Sequence, residues 1–170
     1  LGLDFDNTLV RYDKLFHQLA LVKKLINPQV PIDKVKIRDY LRKHEKDSEF
    51  TKLQGEVYGL RIKEAEPAKG MLETLNSLKK KGVDMVIVSH KTVHPYSGPK
   101  YDLRKAALEW LQKQNFFEEA GLGWNKASIF FENSKEDKIK RISMLGCEYY
   151  VDDLPEVLQL PKDTHFLTFD

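Results

Sequence analysis

Residues 1–10 read LGLDFDNTLV, a short apolar run that delivers two carboxylates, Asp4 and Asp6, into a turn. Alternation in an extended chain points residues i and i+2 to one side. Like charges held that close repel unless a cation neutralises them. Two arrangements answer this: a solvated strand end, or a site that wants a metal ion and a nucleophile together. Three residues also make a poor first strand, so further residues are expected ahead of Leu1.

Beyond this stretch, strand-like and helix-like apolar periods alternate along the chain. Leu15, Leu19, Val22 and Ile26 share one helical face, and Asn27-Pro28 stops it. A second helix is expected from about Ile32 to His44, with Val35 and Leu41 inward. A third runs from Glu49 to Ile62 through Phe50, Leu53 and Val57, with Gly55 and Gly59 against it. Pro67 opens a helix carrying Met71, Leu75 and Leu78, closed by Gly82. Val83 to Val88 reads as a buried strand, followed by the polar loop KTVHPYSGPK. A helix over 101–114, a strand near 129–131, a helix over 134–145 with capping-box spacing at Ser134 and Asp137, and strands at 148–151 and 165–169 complete the chain.

This alternation predicts an α/β fold, a three-layer Rossmann-like parallel sheet with right-handed crossovers. The all-helical stretch after the first strand is too long for an ordinary crossover. It predicts a small helical cap over residues 11–65, inserted into a core of 1–10 and 66–170.

Composition narrows the partners. With 28 Lys and Arg against 26 Asp and Glu, the net charge of +2 gives no electrostatic case for nucleic acid. No apolar run reaches membrane-spanning length. The single Cys147 has no internal disulfide partner, which fits a reducing, cytoplasmic setting. Composition leaves the oligomeric state open.

In an open parallel sheet, ligands bind at the carboxyl ends of the strands. Those ends carry Asp4 and Asp6, then Ser89, then Asp152-Asp153, while Lys135 and Lys138 start the helix leading into the last of these. Carboxylates gathered this way need a divalent cation, and hard oxygen donors favour magnesium. Each feature has an ordinary reading when taken alone. A strand end is usually just solvated, a serine caps or turns, and Asp-Asp before Leu-Pro makes a turn. The joint pattern is what raises the site above these.

The pattern resembles the haloacid dehalogenase (HAD) superfamily, most of whose members are phosphatases. DFDNT at 4–8 is similar to the family's first motif, VIVS at 86–89 to its second, and YYVDDLPE at 149–156 to its acidic fourth, with Lys138, or Lys135 one turn away, as the third. The resemblance implies that Asp4 is the nucleophile, and Asp6 the acid and then the base. Ser89 and the His90 backbone N–H would hold the phosphoryl group, with Thr8 beside it, and a lysine would neutralise charge. It implies Mg2+ bridging Asp4, the Asp6 carbonyl and an acid of the fourth motif. The commoner form of that motif puts Asp153 at the metal and Asp152 on the lysine. A second acid is usual where Val157 stands, and Glu156 is one position early.

The loop from His90 to Tyr101 is expected over the crevice, so Lys91 and His94, with Tyr58 and Arg61 from the insert, are candidate substrate contacts. The function expected is a magnesium-dependent phosphatase acting on a small phosphorylated metabolite. A phosphomutase of the same superfamily shares the first step, and a non-catalytic phosphate-binding module with this fold is the rival from another class. A dehalogenase has no use for Asp6 as an acid. A signalling receiver carries its acceptor Asp on a middle strand, where Phe131-Glu132 offers none.

Overall fold

Leu1 and Asp84 lie just ahead of two neighbouring strands of the same sheet, the N-terminal ammonium donating to the Asp84 carbonyl at 2.9 Å. The computed structural model describes residues 1–153 and 163–168. Along the chain run β1 (Gly2–Leu3), β2 (Val10–Arg11), α1 (Asp13–Val22), α2 (Lys34–Lys43), α3 (Asp47–Tyr58), β3 (Glu66–Pro67) and α4 (Met71–Lys80). There follow β4 (Val86–His90), α5 (Leu103–Lys113), β5 (Ile129–Glu132), α6 (Lys135–Met144), β6 (Tyr149–Val151) and β7 (His165–Leu167). The chain divides into two units, one of Leu1–Val10, Pro67–Thr92 and Leu111–Asp170, the other of Arg11–Glu66 and Val93–Trp110.

The first unit is built on a five-stranded sheet in the order β5-β4-β1-β6-β7, with every pairing parallel. Helices flank it, as the alternating pattern requires. Between sheet and α6 lie Val88, Ile142, Cys147 and Tyr150, all buried. Gly2 has a reason to be glycine. A Cβ there would lie 2.6 Å from the Tyr150 ring, so only a bare backbone lets that ring pass.

The second unit is helical. Phe16 stacks on Phe50 with centroids 5.7 Å apart, and Tyr58 packs against both Phe16 and Tyr12. Gly55 and Gly59, which argue against a helix by propensity, are the points where α3 receives the loop after β4. A Cβ at Gly55 would lie 2.9 Å from Pro95, and one at Gly59 2.4 Å from Tyr101. This close approach brings 93–110 into the helical unit alongside the expected insert.

Several expectations differ in detail. Val22 and Val35 are 78% and 47% exposed rather than inward, because α1 ends at Val22 and α2 turns Ile37 and Leu41 to the core instead. Ile26 is buried from the segment after α1. Pro67 lies in β3, and the helix starts four residues later, after Gly70 at φ 73° breaks the backbone direction. The second core strand begins at Val86, not Val83, and runs on to His90. Asp33 caps α2 by accepting from the Lys36 N–H. Phe169, in the expected last strand, and Glu156 and Val157 lie outside the described residues.

Candidate active site

The middle position of β1 decides what gathers around Asp4. Its neighbours β4 and β6 run parallel to it, so Ser89 and Asp152 emerge on either side at the same end of the sheet. The Asp4 N–H donates to the Val151 carbonyl at 2.9 Å, which ties the nucleophile candidate to the strand of the acidic pair. Past Asp4 the chain turns sharply, with the Leu9 N–H returning to the Phe5 carbonyl at 3.0 Å. Asn7 sits at φ 60°, a left-handed position that asparagine tolerates better than most residues.

Lys138 arrives from α6. Ser134 caps that helix: its Oγ accepts from the Asp137 N–H at 3.1 Å and donates to Asp137 Oδ2 at 2.8 Å. One turn on, the Lys138 ammonium donates to Asp4 Oδ1 at 2.6 Å and to Asp152 Oδ2 at 2.7 Å. All three side chains are buried. Of the two candidate lysines, Lys138 is the one that reaches Asp4, while Lys135 is exposed. The Lys138 ammonium also lies 5.4 Å from the centroid of the Tyr150 ring, whose hydroxyl donates to the Val88 carbonyl. Sequence reasoning passed over Tyr150. The signal was its place two residues before Asp152 in an alternating strand.

Carboxylate oxygens of Asp4, Asp152 and Asp153 come within 4.8 Å of one another. Asp6 is near enough to act on Asp4 electrostatically, and its own carboxylate pairs with the buried Lys91 ammonium at 2.9 Å. With every group ionised, the four carboxylates outnumber the two ammoniums by two, an excess that a divalent cation would offset. The acidic cluster has the all-oxygen donor set that a hard metal ion takes. Burial pushes the Asp4 carboxyl up to about 7, against the pull of Lys138 and with help from Asp152 and Asp6. Burial works to lower the Lys138 ammonium, but the two carboxylates outweigh it and hold it above its ordinary value.

Two hydroxyls complete the arrangement. Thr8 Oγ1 and Ser89 Oγ are both buried and have no hydrogen-bond partner among the described residues. Buried polar atoms are nearly always satisfied, so each hydroxyl is available to a water or to a polar ligand. His90, at the end of β4, turns its Nε2 to the Asn133 carbonyl at 3.1 Å, and partial burial lowers its ring pKa.

The remaining sequence candidates belong to the helical unit. The Tyr58 hydroxyl accepts from Lys34 Nζ at 2.6 Å. Arg61 forms an exposed ion pair with Glu64. His94 Nδ1 lies 3.1 Å from the Tyr101 carbonyl. Among the described residues no helix is long and apolar enough to cross a membrane.

No protein-family profile matches the chain, and no curated protein does. Among solved structures the chain is similar to a HAD-superfamily hydrolase from Ehrlichia chaffeensis, at 13% identity and a TM-score of 0.50, over 98% of this chain and 84% of that one. The chain has the HAD fold. On that fold, Asp4 follows the middle strand, and the Lys138 ammonium joins it to Asp152 after the neighbouring strand.

Proposed function

We propose that the chain is a magnesium-dependent phosphomonoester hydrolase that passes the phosphoryl group of a small metabolite through Asp4. The observation that carries this reading is the buried Asp4–Lys138–Asp152 bridge beside the unpartnered Ser89 and Thr8 hydroxyls. An anionic nucleophile cannot approach an anionic phosphate without cations, and catalysis of phosphoryl transfer is mostly positioning and charge neutralisation. Asp4, Asp153 and the Asp6 backbone carbonyl would hold Mg2+, which when bound supplies part of that neutralisation.

A carboxylate oxygen of Asp4 attacks phosphorus as the ester P–O bond breaks, and Asp6 gives its proton to the leaving oxygen. Water then attacks the aspartyl-phosphate while Asp6 takes a proton back, releasing phosphate and restoring Asp4. Ser89 Oγ, Thr8 Oγ1, the His90 backbone N–H and the Lys138 ammonium bind the phosphoryl oxygens. The similarity to a HAD-superfamily hydrolase supports hydrolysis as the reaction class.

The test is turnover of a panel of phosphorylated sugars, nucleotides and amino acids with Mg2+ and with chelator, plus mass spectrometry of the Asp6→Asn protein after exposure to an aryl phosphate. Metal-dependent phosphate release and a phosphoryl adduct on Asp4 are expected. A folded, metal-loaded protein inert toward the whole panel overturns the reading.

A further inference from the structure

Lys91 stands two residues beyond Ser89, and its side chain is only 2% exposed. Lysine is almost never buried to that degree unless its charge is paired. Its partner is Asp6: the ammonium donates to Oδ1 at 3.0 Å and lies 2.9 Å from Oδ2. The same ammonium sits 5.3 Å from the centroid of the Phe5 ring, the residue between the two site aspartates. At the other end of the residue, the Lys91 N–H donates to the Glu132 carbonyl of β5 at 2.9 Å. Backbone and side chain are therefore both anchored within the sheet unit. A lysine so enclosed, gripping both oxygens of one carboxylate, is poorly disposed to hold substrate.

We propose that Lys91 is a positioning residue that fixes the orientation of the Asp6 carboxylate for proton transfer. The inference rests on the phosphatase reading. In the first step the Asp6 proton passes to the leaving oxygen as the P–O bond breaks. In the second Asp6 accepts a proton from the attacking water as the bond from phosphorus to Asp4 breaks. Lys91 keeps its own proton throughout and touches neither substrate nor phosphorus. Its loss is therefore felt most where the leaving group needs a proton, and least where the leaving group departs as a stable anion.

The experiment compares wild type, Lys91→Met and Lys91→Arg, loaded with Mg2+, on p-nitrophenyl phosphate and on glycerol 2-phosphate. General acid–base help is typically worth ~10²–10⁴-fold, so Lys91→Met is expected to lower kcat on the alkyl ester by about a hundredfold with little change in KM. The loss on the aryl ester is expected to be at least about tenfold smaller, and Lys91→Arg recovers part of the alkyl activity. Adding Lys91→Met to Asp6→Asn brings no further loss on the aryl ester, because the two act as one unit. Equal losses on both esters, a change confined to KM, or full additivity with Asp6→Asn overturns the inference. If Lys91→Met does not fold, Lys91→Arg carries the same comparison, a selective loss on the alkyl ester supporting the inference and an unselective one overturning it. A wild type that turns over neither ester removes the phosphatase reading and this inference with it. Wild-type turnover with an unselective loss removes the inference alone.

Discussion

Asp4 shares its surroundings with three other carboxylates, and its protonation reports on what neutralises them. Its folded-state value near 7 stands above the ordinary 3.8, so the folded chain holds an extra proton between those limits. The metal-free protein is thus expected to lose stability as pH rises from about 4 to 7, which denaturant melts across that range would read. Metal binding needs the carboxylate, so Mg2+ added near pH 6 should expel a proton. Calorimetry in buffers of different ionisation enthalpy checks this, and buffer-independent heats would place the metal away from Asp4. Asp4→Asn keeps the volume and the Lys138–Asp152 contact. It should abolish turnover while circular dichroism stays unchanged, and a folded variant with full activity would exclude the aspartyl route. At this scale the sequence was informative wherever a residue type has few uses: paired aspartates, Ser89 at a strand end, Lys138 on the first turn of a helix. The pairing of Lys91 with Asp6 was not legible, because direction along a loop is set by tertiary contacts. The chain showed only a lysine near the site.

Secondary elements act here as aiming devices. The Ser134 cap fixes the first turn of α6 and with it the reach of Lys138. Replacing an N-cap serine by alanine typically costs about 1 kcal/mol, and in a chain of this size that lowers the melting temperature by roughly 2–4 °C. Ser134→Ala is expected to show that drop together with reduced turnover, whereas a drop with unchanged turnover would separate the cap from the aim of Lys138. In the helical unit Gly59→Ala is expected to be far more damaging, since the new methyl would fall 2.4 Å from the Tyr101 side chain. Thermal melts of the two variants give the ranking. The glycines illustrate why helix α3 was only half legible: propensity spoke against them, and the packing that requires them comes from a loop some forty residues away. Val22 and Val35 misled for the converse reason. Apolar spacing marks a helical face but not which neighbours arrive to cover it.

For the molecule as a whole, ligand linkage offers a readout that needs no substrate. A metal held only by the folded sheet unit stabilises that unit by mass action, about 2.7 kcal/mol at a hundred times Kd. Mg2+ should therefore raise the temperature of the transition in which the sheet unit unfolds. Asp153→Ala is expected to abolish the shift. A shift that survives in Asp153→Ala would assign the metal to other oxygens. The sheet unit was readable from alternation alone, because parallel strands buried on both faces leave few other patterns. The helices of 11–65 were legible from their period, but that 93–110 groups with them was not, since no local period announces where a loop will dock. Tyr150 adds a mechanical consequence. Rooted in β6, it crosses beneath the glycine of β1 and fastens to the Val88 carbonyl in β4. It is a crossbeam under the central strand, and the gauge between the rails that carry Ser89 and Asp152 is set by the length of one phenol. Whatever bulk is added at Gly2 presses on that beam, so the spacing of Ser89 and Asp152 is expected to answer to a residue that belongs to neither rail.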